Sequence, residues 1–346
     1  MDHEVPPAEK KKSNAPTHFL TKGRVQPSST VRLPLSRVTS LPTSCQIGFG
    51  APAAGLEIFG GEPALRVALP VLAGANRQEV LPAAGEAMPG EGCTCFRADG
   101  RLAGFAVAPA GLTPEDAARE VYDRLLAATR GHTLYRIWNY VPQINAVSGG
   151  LEHYRQFCRG RSVAFENHFG AGFQLQLPAA SGVGSVAGPL AVAFLAGTAP
   201  ARHIENPRQV PAFAYPARYG PRAPSFCRAT VVVRDDDREI FISGTAAIRG
   251  HESVASTDLA GQLACTRENL ELIARAAGAG SRMGAEAKAR RIFHAYIRHA
   301  EDFGTVRADL ERHLLRPGDA ITYLQADLCR AELQVEIEAV LRVPHS

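Results

Sequence analysis

The stretch Thr113-Pro114-Glu115-Asp116 opens the segment that decides the fold, and this segment runs on to Gly131. Threonine is a favoured helix cap, proline suits the first helical turn, and the two carboxylates lie at the positive end of the helix dipole. Apolar residues then recur at helical spacing, at Val121, Leu125 and Leu126. We therefore predict an amphipathic helix from Thr113 to about Gly131.

Strand and helix patterns alternate beyond this helix. The first half continues with predicted elements in the order strand, helix, strand, at 132–141, 151–165 and 190–195. The second half repeats the order, with strands at 229–233 and 239–248, a helix at 258–277, a strand at 292–297, a helix at 306–315, and strands at 320–328 and 332–341. This order predicts the α+β class, with two domains that each pack helices on one face of a mixed sheet. The halves share no convincing sequence identity, so a duplication is a hypothesis about architecture only.

Length and composition are those of an ordinary globular protein. The chain has 346 residues, of which 45% are hydrophobic and 21% are charged, which is enough for two medium domains with their own cores. The first residues are polar, contain prolines and lack periodicity. We expect a flexible N-terminal arm at 1–38, an N-terminal domain at 39–200, and a C-terminal domain at 201–346 that carries most of the functional site.

Charge and hydropathy exclude several function classes. A formal net charge of +4 is too small to predict binding to nucleic acid. No segment has the uninterrupted apolar length that crosses a bilayer, and the first residues lack the basic-then-apolar order of a secretory signal. We therefore expect a cytoplasmic protein that binds neither nucleic acid nor membrane, and we expect a monomer. Seven widely spaced cysteines fit reduced thiols.

Short motifs give no indication of a metal or a cofactor. Cys93-Thr94-Cys95 has no partner at the spacing of a zinc site, and His251-Glu252 lacks the second histidine of a zinc protease. Gly182-Val183-Gly184-Ser185 lacks the lysine of a phosphate-binding loop and the spacing of a dinucleotide fingerprint, so we predict a turn there.

The segment from Glu205 to Phe226 is rich in proline, arginine and tyrosine. Prolines stiffen it before anything binds, which lowers the ordering cost of binding. Arg208, Arg222 and the following Arg228 can each hold a carboxylate with two parallel donors, and tyrosines add hydroxyl groups. Two interpretations stay open on composition alone, namely a surface loop with solvated arginines and the wall of an anion site.

The last predicted strand alternates apolar residues with Glu332, Gln334, Glu336 and Glu338. Such a face can be solvated, or part of it can border a site where arginines balance the charge. In the second case Glu336, near the middle, is the candidate general acid, since burial raises a carboxyl pKa toward neutrality. Cys329 precedes it by seven residues and is either a buried apolar residue or a group active in proton transfer or as a nucleophile.

Other aromatic and basic residues are ambiguous from pattern alone. Trp138 and Tyr140 lie in a predicted strand, where core packing is the ordinary interpretation. Tyr154 and Arg161 lie two turns apart on one helix face and can face either a pocket or water.

Taken together, the quoted motifs resemble the chorismatase family. The resemblance rests on four motifs in order: Arg136-Ile137-Trp138-Asn139-Tyr140-Val141-Pro142-Gln143-Ile144-Asn145, the segment Glu205 to Phe226, Ile242-Ser243-Gly244-Thr245-Ala246 with Gly250-His251-Glu252-Ser253, and Cys329-Arg330 before Glu336-Ile337-Glu338. It implies two domains of the YjgF/RidA-like, or chorismate-mutase-like, fold. It also implies action on chorismate with release of pyruvate, without a cofactor.

The resemblance also assigns residues. It implies that Tyr215, Tyr219 and Arg222 line the substrate site with Tyr154, Arg161 and Arg228, and that Glu336 protonates the enolpyruvyl methylene. A cysteine at the position of Cys329 resembles the members that aromatise the ring to 3-hydroxybenzoate. Ala246, where glycine would favour a single product, implies a mixture of 3- and 4-hydroxybenzoate. The alternatives are a hydrolytic chorismatase that makes 3,4-dihydroxycyclohexa-1,5-diene carboxylate, and a non-catalytic small-molecule-binding protein of the same fold.

Overall fold

The structure is a computed structural model that describes residue 1 and residues 44–59, 62–81, 86–89, 92–234, 237–254, 258–286 and 288–344. The arm expected at 1–38 lies outside the described residues, apart from residue 1.

Strands dominate the described part of the chain. In chain order they are β1 (Cys45–Gly48), β2 (Gly55–Phe59), β3 (Glu62–Arg66), β4 (Val71–Ala73), β5 (Arg77–Leu81), β6 (Glu86–Pro89), β7 (Thr94–Ala98), β8 (Arg101–Val107), β9 (Thr133–Pro142), β10 (Val147–Ser148), β11 (Leu151–Glu152), β12 (Ala179–Ser185), β13 (Ala191–Gly197), β14 (Ala201–Ile204), β15 (Ala229–Val233), β16 (Asp237–Ala246), β17 (Ile248–Arg249), β18 (Glu252–Ser253), β19 (Arg290–Ile297), β20 (Ala320–Gln325) and β21 (Val335–Pro344). The helices are α1 (Pro114–Ala128), α2 (His153–Phe169), α3 (Leu259–Ala276) and α4 (Phe303–His313), with short 3-10 helices at Phe173–Gln176, Ala212–Ala214, Ala217–Tyr219, Ser281–Gly284 and Ala300–Asp302.

Two large mixed sheets share one strand order. The first sheet runs β12-β9-β13-β8-β7-β6, and the second runs β14-β15-β16-β21-β19-β20-β4. Read from β12, the first sheet has the order β12-β9-β13-β8-β7-β6, and read from β20, the second has the corresponding order β20-β19-β21-β16-β15-β14. In each sheet the first two strands are parallel and are joined through a helix, which is α2 for β9 and β12 and α4 for β19 and β20. The repeated order predicted from the sequence is therefore a repeated topology. A smaller sheet, β2-β3-β1-β5, precedes them.

Each large sheet carries its helices on one face, as predicted. Leu125 of α1 and Phe157 of α2 pack in one apolar core on the first sheet, and Leu270 of α3 and Leu310 of α4 pack in another on the second sheet. Helix α1 begins as its motif predicts, because the Thr113 hydroxyl accepts the Asp116 N–H at 3.1 Å. A third core lies between the inner faces of the two sheets. The α+β class is thus confirmed.

Two predictions from the sequence were wrong, and both concern segments near the contact between the two sheets. The segment predicted as a turn, Gly182 to Ser185, lies inside edge strand β12, because its small residues allow close approach to the second half. A Cβ on Gly184 would lie 2.8 Å from Cβ of Asp327. The final strand begins at Val335 and not at 332, so Glu332 lies in the preceding turn and is exposed.

Among the helices of the described residues, none combines the length and the apolar character that crossing a bilayer requires.

Candidate functional site

Strand β21 directs Glu336 and Glu338 toward the first sheet. Its alternate residues, such as Ile337, join the core beneath α3 and α4. The side chains of Glu336 and Glu338 are almost fully buried, at 3% and 2% exposure. The solvated interpretation of this strand face is therefore wrong for these two carboxyl groups.

Four side chains surround the carboxylate of Glu338, of which two are basic and two are neutral hydrogen-bond donors. One carboxylate oxygen accepts from Arg136 at 2.6 Å and from Ser181 at 2.5 Å. The other accepts from Trp138 Nε1 at 2.9 Å and lies 3.4 Å from His294 Nδ1. Burial alone would raise the pKa of Glu338, but Arg136, His294 and Ser181 outweigh it and lower the pKa to about 2. Glu338 is an anion at neutral pH.

Glu336 has the opposite protonation state. Its pKa is raised to about 8, because burial and the nearby Glu338 anion outweigh the opposing charges of Arg136 and Arg228. Two carboxyl groups on one strand face thus differ in pKa, because only Glu338 has a full set of hydrogen-bond donors around it. At neutral pH Glu336 is mostly a neutral acid that can donate a proton.

A bulge in β16 makes room for the Glu336 carboxyl group. The β16–β21 register shifts between Ile242 and Thr245, so one extra residue is accommodated opposite Glu338. A Cβ on Gly244 would lie 1.9 Å from Glu336 Oε1, so this position accepts only glycine without movement. The predicted residue Ala246 lies directly across from Glu336 on β16 and is buried.

Arg228 connects the proline-rich segment with the acid. It precedes β15, is 4% exposed, and donates to the Tyr215 hydroxyl at 2.8 Å and to the Val210 carbonyl at 3.2 Å. Its guanidinium lies 5.1 Å from the centre of the Phe226 ring. Arg228 also lowers the pKa of Glu336, so the charge of Arg228 acts on the acid as well as on the proline-rich segment.

Tyr215 and Tyr219 form a layered wall with a second arginine. The Arg330 guanidinium lies 4.2 Å from the centre of the Tyr219 ring and 5.5 Å from that of Tyr215. Arg330 donates to Ser253 Oγ at 3.0 Å and to the His251 carbonyl at 2.8 Å. The loop is therefore fixed to the segment before β21 by stacking of planar cations on phenols.

Cys329 is half-buried next to Arg330. Burial raises the pKa of its thiol to about 12, with Glu336 adding to the effect and Arg330 opposing it. The predicted proximity to the acid agrees with this coupling. The thiol is neutral at neutral pH, however, which is unfavourable for the expected thiolate nucleophile.

Tyr154 and Arg161 lie on α2 beside Cys158. Burial raises the pKa of Tyr154 well above its ordinary value, and both Cys158 and Cys329 raise it further, so this tyrosine adjoins the Cys329 region. Arg161 is 2% exposed, lies 4.8 Å from the centre of the Phe157 ring, and has a buried Nε without a hydrogen-bond partner among the described residues. Other atoms of its guanidinium interact with Tyr122, Cys158 and Tyr154.

Arg222 and Arg208 lie apart from this cluster. Arg222 is exposed and pairs with Glu166 of α2 at 2.9 Å. Arg208 pairs with Glu268 of α3. Neither arginine has a contact with the acid or the tyrosines among the described residues, so the substrate role expected for Arg222 stays a prediction.

The sequence did not predict many of the residues that contact Glu336, Glu338 and the two tyrosines. It did not assign roles to Arg136, Ser181, Gly244, His294, Arg330 or Glu338. The sequence did contain one indication of this site. Arg136, Trp138 and Tyr140 are two residues apart in an apolar strand and so share one face, and a buried arginine requires an anionic partner.

Two cavities of the described surface lie elsewhere. One of about 640 Å³ is lined by residues such as Leu112 and Phe157, and one of about 380 Å³ by residues such as Arg282 and Arg312. Neither cavity is lined by Glu336, Arg228 or the stacked tyrosines.

Known proteins resemble this chain in sequence. A family model described as chorismatase FkbO/Hyg5-like, N-terminal, matches residues 82–196. A 3-hydroxybenzoate synthase from Streptomyces hygroscopicus is 42% identical over 221 residues, which are 60% of this chain and 63%, less than two thirds, of that relative's length. A chorismatase from Streptomyces rapamycinicus is 38% identical over 265 residues, 72% of this chain and 77% of the relative.

A solved structure extends the likeness to the fold. The crystal structure of a chorismatase has a TM-score of 0.74 and 28% sequence identity, and the match covers 91% of this chain and 96% of that one. This likeness confirms the fold class expected from the sequence. The chain belongs to the chorismatase family.

Proposed function

We propose that this chain is an enzyme that converts chorismate into pyruvate and 3-hydroxybenzoate, with 4-hydroxybenzoate as a second product. Two similar proteins support the proposal, since they are named 3-hydroxybenzoate synthase and chorismatase. The observation that carries it is the buried Glu336, whose pKa of about 8 keeps it protonated at neutral pH beside the ionised Glu338.

The proposed chemistry begins with proton transfer from Glu336. The terminal methylene carbon of the enolpyruvyl ether accepts the proton and becomes the methyl group of pyruvate. The bond between the ring carbon and the ether oxygen breaks, and that oxygen leaves as the keto oxygen of pyruvate. The ring becomes aromatic as it loses one proton to the Glu336 carboxylate, which restores the acid. Between the two proton transfers the Glu336 carboxylate is stabilised by Arg228 and Arg136, because both charges lower its pKa. Glu338 acts through Glu336, since its charge keeps the acid protonated before the reaction.

Chorismate carries two carboxylates, which need separate cationic partners. Arg228 and Arg330 present charge from the loop side of the site, and Arg161 presents charge from α2. Tyr215, Tyr219 and Tyr154 surround these cations with flat apolar rings that suit a cyclohexadiene. The arrangement would orient the enolpyruvyl group toward Glu336.

Cys329 would affect the fate of the ring. Hydroxybenzoate and pyruvate together contain the same atoms as chorismate, whereas the diol and pyruvate contain one more water. A neutral thiol next to Glu336 occupies space that an attacking water would need, which favours the aromatic products.

One incubation tests the proposal. The purified full chain is mixed with chorismate, and the products are separated by chromatography. We expect pyruvate with 3-hydroxybenzoate, and 4-hydroxybenzoate as a second aromatic product. Diol in place of aromatic acid would indicate the hydrolytic reaction, and binding of chorismate without pyruvate release would indicate a non-catalytic protein.

A further inference from the structure

Glu205 and Arg228 face each other without forming a close pair. Arg228 Nε and Glu205 Oε2 are 3.9 Å apart. Arg228 Nε and both carboxylate oxygens of Glu205 are buried atoms with no side-chain hydrogen-bond partner among the described residues. The Glu205 side chain as a whole is 30% exposed, and the Arg228 backbone N–H is close enough to its carboxyl group to lower the pKa. Buried polar atoms without close partners are costly, so this pair is a candidate for a function other than stability.

The hydrogen bonds of Arg228 leave one edge of its guanidinium facing Glu205. Two of its donors are used by Tyr215 and Val210, so the Nε edge that faces Glu205 has no other partner among the described residues. An ionised Glu205 would draw the guanidinium toward itself and neutralise its charge. A neutral Glu205 would leave that charge for a carboxylate in the site.

We propose that Glu205 is a positioning residue that controls, through its own proton, the charge which Arg228 offers to a carboxylate of the substrate. The inference rests on the proposed function for the identity of that substrate. The neutral form of Glu205 is the form competent for binding, and ionisation competes with the substrate for Arg228.

The surroundings of Glu205 agree with such a titration. The pKa of Glu205 is raised to about 7, because burial outweighs the opposing charge and backbone hydrogen bond of Arg228. The Cys227 thiol also couples to Glu205, but burial raises the pKa of that thiol to about 12. His203 lies close to Cys227 and Thr230, and burial lowers its pKa to about 4. Among the described groups that couple to Arg228, Glu205 has the pKa closest to 7, and Glu336 titrates above it, at about 8.

Kinetics of Glu205→Gln against wild type test the proposal. If only the neutral form binds chorismate, KM of the wild type rises about fourfold between about pH 6 and about pH 7.5, since the competent fraction falls through a pKa of about 7. The variant cannot ionise, so its KM should stay near the low-pH value of the wild type across this pH range. Glu301→Gln, an exposed carboxylate elsewhere, should behave as wild type.

Two kinetic results would overturn the proposal. One is the same rise of KM in Glu205→Gln as in wild type. The other is a KM that is raised at every pH in the variant, since this would mean that Glu205 itself contacts the substrate or supports the loop.

Thermal unfolding gives a readout that does not depend on turnover. A carboxyl group with a raised folded pKa contributes stability below its unfolded pKa of about 4.5, and this contribution is lost as pH rises through about 7. The Tm of Glu205→Gln relative to wild type should therefore increase from about pH 5 to about pH 7.5. A pH-independent difference in Tm would contradict the proposal even if chorismate is consumed. An increase without any chorismate turnover would support the titration of Glu205 and reject the proposed function.

Discussion

At the scale of single residues, the same side-chain type has two roles on one strand. Glu336 and Glu338 are two residues apart, yet the pKa of one is about 8 and that of the other about 2. The difference follows from partners, since Glu338 has close contacts with Arg136, Trp138, Ser181 and His294, whereas Arg136 acts on Glu336 only through its charge. An acid that is kept neutral by an adjacent ionised carboxylate is suited to proton donation.

Replacement of Glu336 by glutamine should abolish most turnover. Glutamine has nearly the same shape but no acidic proton, and general acid catalysis contributes about 10²–10⁴-fold to rate. We expect pyruvate release by Glu336→Gln to fall by at least about a hundredfold, with the fold retained by circular dichroism. Glu286→Gln, at an exposed position, is the control. Retention of most of the activity in Glu336→Gln would mean that another group is the acid.

The pH dependence of kcat should reflect the same acid. Because the pKa of Glu336 is raised to about 8, the protonated form predominates below that pH and is lost above it. We therefore predict a rate that is level on the acidic side and falls as pH rises through about 8, measured as pyruvate release at saturating chorismate. A rate that increases across this range would be evidence against a neutral Glu336 as the donor.

Residue-scale prediction from the sequence was incomplete for a physical reason. Alternation in the last strand identified Glu336 as a candidate, but it could not separate burial from solvation. That decision depends on Arg136 and Ser181, which come from the other half of the chain. The assignment of Glu336 as the general acid stays a prediction until it is measured.

At the scale of elements, an irregularity in β16 shapes the site. The bulge that contains Gly244 lies next to the acid, and edge strand β12 binds it, since the Gly244 N–H donates to Ser181 Oγ at 2.9 Å. The same strand contacts β16 again, where the Ala180 N–H donates to Ser243 Oγ at 2.9 Å. Small residues in both strands allow this approach, which is why a glycine-rich segment that suggested a turn is a strand.

A larger residue at Gly244 should displace Glu336. Since even a Cβ would lie 1.9 Å from Glu336 Oε1, valine must move either the carboxyl group or the strand. We expect Gly244→Val to lower pyruvate release by at least about tenfold, because misplacement of a catalytic group by about 1 Å costs rate. Gly304→Val is the matched control, since no atom lies within 4 Å of a Cβ there. Equal activity of the two variants would show that the space beside Glu336 is not required.

At the scale of the whole molecule, the two sheets are joined by a buried ionic network. Arg136 and Trp138 of the first sheet donate to Glu338 of the second, and His294 of the second sheet lies beside the same carboxylate. The ionisable members have 1–4% side-chain exposure. The α+β class and the repeated order of elements could be predicted, because hydrophobic periodicity is local. The contact between the inner sheet faces could not, because it joins residues about two hundred positions apart, as in the bond from Arg136 to Glu338.

Removal of one partner of the network should destabilise the fold. Arg136→Met leaves Glu338 as a buried charge without its main counter-ion, a change that costs about 3–5 kcal/mol. Denaturant unfolding should show this loss, and the double variant Arg136→Met with Glu338→Gln should recover part of it, because the uncompensated charge is gone. A single variant as stable as wild type would contradict the view that this ion pair joins the two halves.

The central claim is that a neutral Glu336 protonates the enolpyruvyl methylene of chorismate, and the isotope content of the product tests it most directly. The acid exchanges its proton with solvent, so turnover of chorismate in D₂O should give pyruvate with one deuteron in its methyl group, as mass spectrometry would show. Pyruvate kept in D₂O with Glu336→Gln controls for later exchange. Pyruvate formed by the wild type without deuterium would contradict the account, because the hydrogen would then come from the substrate and not from an acid of the protein.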